Sequence, residues 1–281
     1  MTTSRRSFLA LAGLALPLAA SQKFSGPAGL QIYSLRREAE QDLPGTLVLI
    51  RKMGFRELEV GDLYGRTAAE FARMVATEGL KVTSTMAEWD QLTKSTSAVA
   101  DLAKTLGAEY AVCTQIPRKK QFTLDDAHRG AGHFNLWGEK LAGAGVHFCY
   151  HAHGYEFGAG PDGTLFDTLA KRMDPKAANF EMDVFWIVFG KQDPAKLLRR
   201  YPGRFPLMHL KDIRKGEPKT GNPGDVAEEA SVPLGTGEVD WPSVLSAAQK
   251  AGVRHYYIEE EHQEALKQIP QSLRYLEHLR F

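Results

Sequence analysis

The sequence predicts an α/β protein whose one large domain is a (β/α)8 TIM barrel. Two observations carry this reading. Eight short apolar or alternating runs take turns with eight amphipathic stretches, the repeat of a barrel strand and its covering helix. No Gly-rich phosphate loop joins any strand to its helix, which favours closure over an open doubly wound sheet. Composition agrees. The 281 residues are 43% hydrophobic and 25% charged, which excludes disorder, collagen-like repeats and a multi-span membrane protein. The net charge of +1, from 35 Lys+Arg against 34 Asp+Glu, gives no electrostatic reason to expect nucleic acid as the partner. Cys113 and Cys149 are too few for a disulfide scaffold and stand in apolar runs, so they read as buried free thiols.

In chain order, the first element is a leader. Ser4-Arg5-Arg6-Ser7-Phe8-Leu9 opens a short apolar run that ends in small residues at Ala19 and Ser21. The run is too short to span a bilayer, which takes about 20 residues. Paired arginines before Ser-Phe-Leu resemble the twin-arginine export signal of bacteria. The expectation is therefore a signal over 1–21, a barrel over 22–281, and a periplasmic protein with no membrane anchor once the signal is cleaved.

The barrel units follow. Strands are expected over 29–35, 55–60, 81–86, 110–116, 146–152, 180–185, 206–211 and 256–259, where apolar, β-branched and aromatic residues concentrate. Helices are expected over 44–52, 68–78, a stretch reaching 106, 125–142, 165–172, 194–200, one opening at Asp240-Trp241-Pro242, and 264–279. Gly54, Gly79 and Gly107 stop the first three. Residues 216–232, rich in Gly, Pro, Lys and Glu, read equally as a surface excursion or as a lid over the barrel mouth.

Active sites of such barrels lie at the carboxyl ends of the strands. Here those ends read Glu57-Leu-Glu59, His151-Ala-His153-Gly-Tyr-Glu156, Glu181-Met-Asp183, His209-Leu-Lys211-Asp212 and Glu259-Glu-Glu261. Burying ionisable groups in a barrel mouth costs several kcal/mol unless they are paired or bound to a cation. A divalent metal resolves this, and a nitrogen/oxygen donor set suits Mn, Zn, Co or Fe. Each residue also has a plainer reading: a strand-end His as a hydrogen-bonded core residue, Asp183 as the cap of the next turn, Glu260 or Glu261 as a solvated charge. The coincidence of ligand-type residues on four successive strands favours the metal.

These residues resemble the sugar phosphate isomerase/epimerase group of xylose isomerase-like barrels, a superfamily that also includes endonuclease IV. The resemblance runs through Asn135-Leu-Trp-Gly138, Tyr150-His-Ala-His-Gly-Tyr-Glu-Phe157, Asp183-Val-Phe-Trp186, His209-Leu-Lys-Asp212, Gly235-Thr-Gly-Glu-Val-Asp-Trp241 and Tyr257-Ile-Glu259. It implies one divalent ion held by His151, Asp183, His209 and Glu259. In the epimerase branch the fifth-strand ligand is commonly Glu, so His151, His153 and Glu156 compete for that place. Trp186 and Asp212 stand where endonuclease IV's pattern would want ligands, which argues against DNA repair.

The chemistry expected is proton removal beside a sugar carbonyl polarised by the metal. Glu259 is a candidate ligand and base, with Glu156 or His153 as its partner on the other face. Glu59 is a substrate contact, a group behind the ligands, or a core-edge salt bridge. Lys211 is expected to alternate away from His209, and Trp186 and Tyr155 offer flat faces for a sugar ring. A small sugar or sugar derivative is the expected substrate, and a homo-oligomer stays open. Three functions follow: an isomerase/epimerase, a keto-sugar or 3-keto-glycoside lyase or dehydratase using the same chemistry, or a non-catalytic carbohydrate-binding barrel.

Overall fold

A computed structural model describes residues 23–24, 26, 28–220 and 225–281. The expected leader lies outside the described residues, as does part of the 216–232 segment. Eight parallel strands close into a barrel: β1 (Ala28–Gln31), β2 (Glu57–Val60), β3 (Lys81–Ala87), β4 (Tyr110–Cys113), β5 (His147–His151), β6 (Ala178–Asp183), β7 (Leu207–Leu210) and β8 (His255–Ile258), with β8 paired to β1. The covering helices are α1 (Arg36–Gln41), α2 (Leu43–Lys52), α3 (Ala68–Thr77), α4 (Trp89–Lys94), α5 (Thr96–Leu106), α6 (Leu124–Gly143), α7 (Leu165–Arg172), α8 (Val184–Phe189), α9 (Pro194–Arg200), α10 (Trp241–Ala251) and α11 (Ala265–His278). None of the described helices is long and apolar enough to cross a membrane.

Local chemistry sets the boundaries that differ from the sequence reading. The first strand ends at Gln31, not Leu35, because the Gln31 side chain accepts from the Tyr33 amide at 3.0 Å and turns 32–35 into a 3-10 helix. The helix after β3 is two helices, since the Ser95 hydroxyl caps the second by accepting from Ala98 N. The fourth strand stops at Cys113 and the sixth at Asp183, whose Oδ1 accepts from Trp186 N at 3.2 Å and starts α8. Reciprocal capping boxes open α3 at Thr67/Glu70, α6 at Thr123/Asp126 and α7 at Thr164/Asp167.

The barrel interior is layered. Side chains two residues apart on a strand share a face. Tyr110, Val112, Cys149, Leu207 and Tyr257 form a dry lower plug. One step towards the carboxyl ends the same faces carry His151, His209 and Glu259, all buried. Cys113 and Cys149 are free and buried, and burial pushes the Cys113 thiol up to about 12. Register then fixes neighbours: His151 lies beside Glu181, Asp183 beside His209, and Gln31 beside Glu59.

The excursion after β7 is anchored by one carboxylate. Asp212 accepts from the main-chain amides of Ile213, Gly235, Gly237 and Val239 and from the Trp241 indole, at 2.9–3.3 Å. A Cβ at Gly237 would fall on that carboxylate. On the far side Glu228 is gripped by Arg36 at 2.7 Å and Arg37 at 2.9 Å, so the excursion reaches over the mouth to the segment following β1.

Gly138 on α6 lets the helix approach the chain entering β6, where a Cβ would land on the Ala177 carbonyl oxygen. Gly138→Ala would gain about 1 kcal/mol of helix propensity. The clash with a main-chain carbonyl costs about 1–3 kcal/mol. A net loss of up to about 2 kcal/mol is expected in urea unfolding, and a stabilised variant would contradict this packing.

Candidate metal centre at the barrel mouth

Three donors, from His151, Asp183 and His209, converge above the apolar plug, and Glu259 stands against the third. His151 Nε2 lies 3.7 Å from Asp183 Oδ2, and His209 Nδ1 lies 3.8 Å from the same oxygen. His209 Nδ1 is 3.2 Å from Glu259 Oε2. Asp183 Oδ2 is buried and makes no hydrogen bond, although Oδ1 is spent on the helix cap. A buried, unpartnered carboxylate oxygen is costly unless a cation completes it. Atoms about 2.1 Å from one ion sit roughly 3–3.5 Å apart, close to the spacing found. His151, Asp183 and His209 therefore fit a divalent metal, with Glu259, beside His209, as the candidate fourth ligand.

A second rank of carboxylates stands behind the two imidazoles. His151 Nδ1 meets Glu181 Oε2 at 2.8 Å, and His209 Nε2 meets Glu59 Oε1 at 2.5 Å and Glu181 Oε2 at 3.4 Å. Glu59 is fixed in turn by Gln31 Nε2 at 2.9 Å and the Ser84 hydroxyl at 2.6 Å. Each ring thus uses its far nitrogen on a carboxylate and turns the near one to the centre, the arrangement that orients metal-binding histidines. Burial and the neighbouring Glu59 charge push the Glu181 carboxyl up to about 7. Burial works against a charged His209, but Glu181, Glu59 and Glu259 outweigh it and hold its pKa well above the usual value. His151 is raised too, where Glu181 overcomes the opposing effect of burial.

The other residues singled out from the sequence are distributed unevenly. His153, two residues beyond His151, lines the cavity over the centre together with Glu259, Glu261 and Trp186. No ring nitrogen of His153 has a hydrogen-bond partner among the described residues, and Nδ1 is shielded, which leaves Nε2 to the cavity. Burial, then the His151 and Lys211 charges, hold it neutral well below its ordinary pKa. Glu156 turns away instead. It accepts from Tyr150 OH at 2.5 Å and from the His153 amide at 3.2 Å, and burial raises its pKa. The turn at Gly154, with φ +90°, redirects the chain; a Cβ there would lie 2.6 Å from the Trp186 carbonyl oxygen. Glu59 is fully buried beneath His209 and lines neither lobe of the cleft, so it stands behind the ligands.

The expectation for Lys211 needs correction. It is two residues from His209 and shares its inward face rather than alternating away. Its Nζ lies 3.1 Å from Glu259 Oε2 and 3.0 Å from Glu261 Oε2, and these carboxylates keep the buried amine protonated against the effect of burial. Tyr155 and Trp186 both face the cleft, with Tyr155 carrying the Arg118 guanidinium 3.6 Å above its ring. Glu260 faces the other side of its strand and is buried, its amide donating to the Ser34 hydroxyl at 2.9 Å. Glu181 is the residue the sequence reading passed over; its two-residue spacing from Asp183 was the signal that it shares the ligand face.

Asp183→Ala and His209→Ala are each expected to abolish retention of divalent metal. Glu181→Gln and Glu59→Gln are expected to weaken it about 10- to 100-fold. Elemental analysis and chelator competition measure both effects, and full metal retention by Asp183→Ala would refute the donor set.

The sequence pattern of the xylose isomerase-like TIM barrel matches residues 47–279. Inosose dehydratase of Geobacillus thermodenitrificans (strain NG80-2) is 24% identical over 239 residues, 75% of this chain and 79% of that one. Inosose dehydratase of Bacillus cereus (strain AH820) is 25% identical over 183 residues, 58% of this chain and 60% of that one. The crystal structure of a sugar phosphate isomerase/epimerase from Parabacteroides distasonis ATCC 8503 is 27% identical. It covers 94% of this chain and 98% of that one, with a TM-score of 0.73. The matched span takes in all strands from β2 to β8 and every donor of the centre, so the chain belongs to the xylose isomerase-like TIM barrel family.

Proposed function

We propose that the protein is a divalent-metal-dependent enzyme that removes the proton beside the carbonyl of a keto-sugar or cyclic keto-polyol, and that the reaction goes on to expel a β-hydroxyl or other β-substituent. The observation that carries this is the convergence of His151, Asp183 and His209 on one buried point, with Glu259 against His209, beneath a cavity bearing an unengaged imidazole. A divalent cation at that point supplies Lewis-acid polarisation of the carbonyl.

The chain's own groups do the rest. His153 Nε2 takes the proton from the carbon next to the carbonyl and gives it to the departing oxygen. Lys211 holds Glu259 in place through its ammonium. Trp186, buried and on the cavity wall, offers the sugar ring an apolar face. Glu156, tied to Tyr150 and the His153 amide, fixes the main chain that carries the base.

Elimination is supported by the dehydratases that match this chain. The Parabacteroides structure favours a second reading, in which His153 returns the proton to the adjacent carbon and the product is an isomer.

Metal-loaded protein incubated in D2O with inosose and 3-keto-sugars is expected to exchange the proton beside the carbonyl. Release of water or an aglycone marks the lyase, and an isomer of unchanged mass the isomerase. His153→Ala should lower kcat by about 10²- to 10⁴-fold with metal content retained; wild-type turnover in that variant removes the base. Absence of exchange on every keto-sugar removes the function.

Export is proposed on Arg5 and Arg6 within Ser4-Arg5-Arg6-Ser7-Phe8-Leu9 alone. Replacing both by Lys is expected to leave the protein in the cytoplasmic fraction, and unchanged periplasmic recovery would overturn it.

A further inference from the structure

The cleft is larger than the centre needs. A lobe of about 650 Å³ lies over the donors and a second of about 630 Å³ opens beside it. The two share Tyr33, His153 and Trp186, so a substrate ring over the donors can extend directly into the second space. Pockets of about 300–1,000 Å³ each suffice for a drug-sized ligand, and one sugar ring leaves the second lobe empty.

The charges around that second lobe are matched, with one exception. Arg36 is neutralised by Glu228 at 2.7 Å, and Glu261 by Lys211 at 3.0 Å. Arg118 is half-buried and makes no ion pair or hydrogen bond to any described residue. Its guanidinium lies flat on Tyr155, 3.6 Å above the ring centre. Tyr155 is itself held rigid, its hydroxyl bonded to Tyr150 OH at 2.9 Å and accepting from the Ile116 amide at 3.4 Å. Stacking occupies the face of the guanidinium and leaves its edges, where five N–H donors lie, without acceptors. A planar donor fork fixed on an aromatic platform at a cavity wall is matched by a carboxylate or phosphate, which it can bind through two parallel hydrogen bonds. Lys119 and Lys120 follow on the exposed surface and add to the positive potential there.

We propose that the second lobe binds an oxyanion, a carboxylate or a phosphate, on the non-reacting part of the substrate, and that Arg118 selects for it. This rests on the reading that the first lobe holds a sugar, but its test needs no turnover.

Metal-loaded full-length protein is titrated by calorimetry with D-glucose, D-glucuronate and D-glucose 6-phosphate, for the wild type, Arg118→Gln and Arg118→Lys. In the wild type at least one anionic sugar is expected to bind about tenfold or more tightly than glucose. The ratio should fall to near one in Arg118→Gln and lie between in Arg118→Lys, which keeps the charge and loses the planar fork. The glucuronate and phosphate arms tell which oxyanion the lobe takes. Equal affinities in the wild type, no binding by any of the three, or a preference that persists in Arg118→Gln overturns the proposal; the last is the signature of an anion ligating the metal itself. An Arg118-dependent preference without deuterium exchange on any keto-sugar would leave this site standing and remove the proposed reaction.

Discussion

At the upper end of the barrel one imidazole stands between two tiers of acid. His209 sets Nε2 against Glu59 and Glu181 and faces Asp183 and Glu259 with Nδ1. All five residues are buried, so their charges are screened little by water and each must be answered by another charge or a proton. Lys211 answers Glu259 and Glu261, burial and the Glu59 charge raise the Glu181 carboxyl, and the surrounding acids raise His209. A divalent cation bound by the upper tier would take over that role and release protons as it did so. The lower tier then keeps a second task, holding both rings in the one orientation that presents a nitrogen upward.

Much of this was legible because a strand repeats every two residues. Cys149–His151–His153 and Tyr257–Glu259–Glu261 each climb one inward face from plug to candidate donor to cavity wall, and Leu207–His209–Lys211 climbs from plug to candidate donor to the amine that pairs Glu259 and Glu261. The same arithmetic, applied consistently, identifies Glu181 and places Lys211 with His209. Other features are not written in spacing. Which acid stands behind which ring depends on register around the closed barrel, as in the pairing of His151 with Glu181. The fate of Glu156 depends on a left-handed turn at Gly154 that points a strand-end carboxylate into the wall. Arg118 is in a loop without a motif, and only the ring beneath it shows its place.

The resemblance to the isomerase/epimerase group implied a carboxylate on the fifth strand, and this chain has His151 there. The exchange removes one negative charge from the donors. It is accompanied by Glu181, which touches the far side of the new imidazole at 2.8 Å. Glu181 thus stands one rank behind an imidazole where the resemblance implies a carboxylate. That shift favours metals that accept imidazole readily over those that prefer oxygen alone.

Asp212 follows Lys211 directly and gathers three amides and an indole from the far end of the excursion. Such a knot couples loop shape to the strand that carries His209. Substitutions from Gly235 to Trp241 therefore act on the floor of the barrel mouth through Asp212, whereas those at Glu228 act on its rim through Arg36 and Arg37.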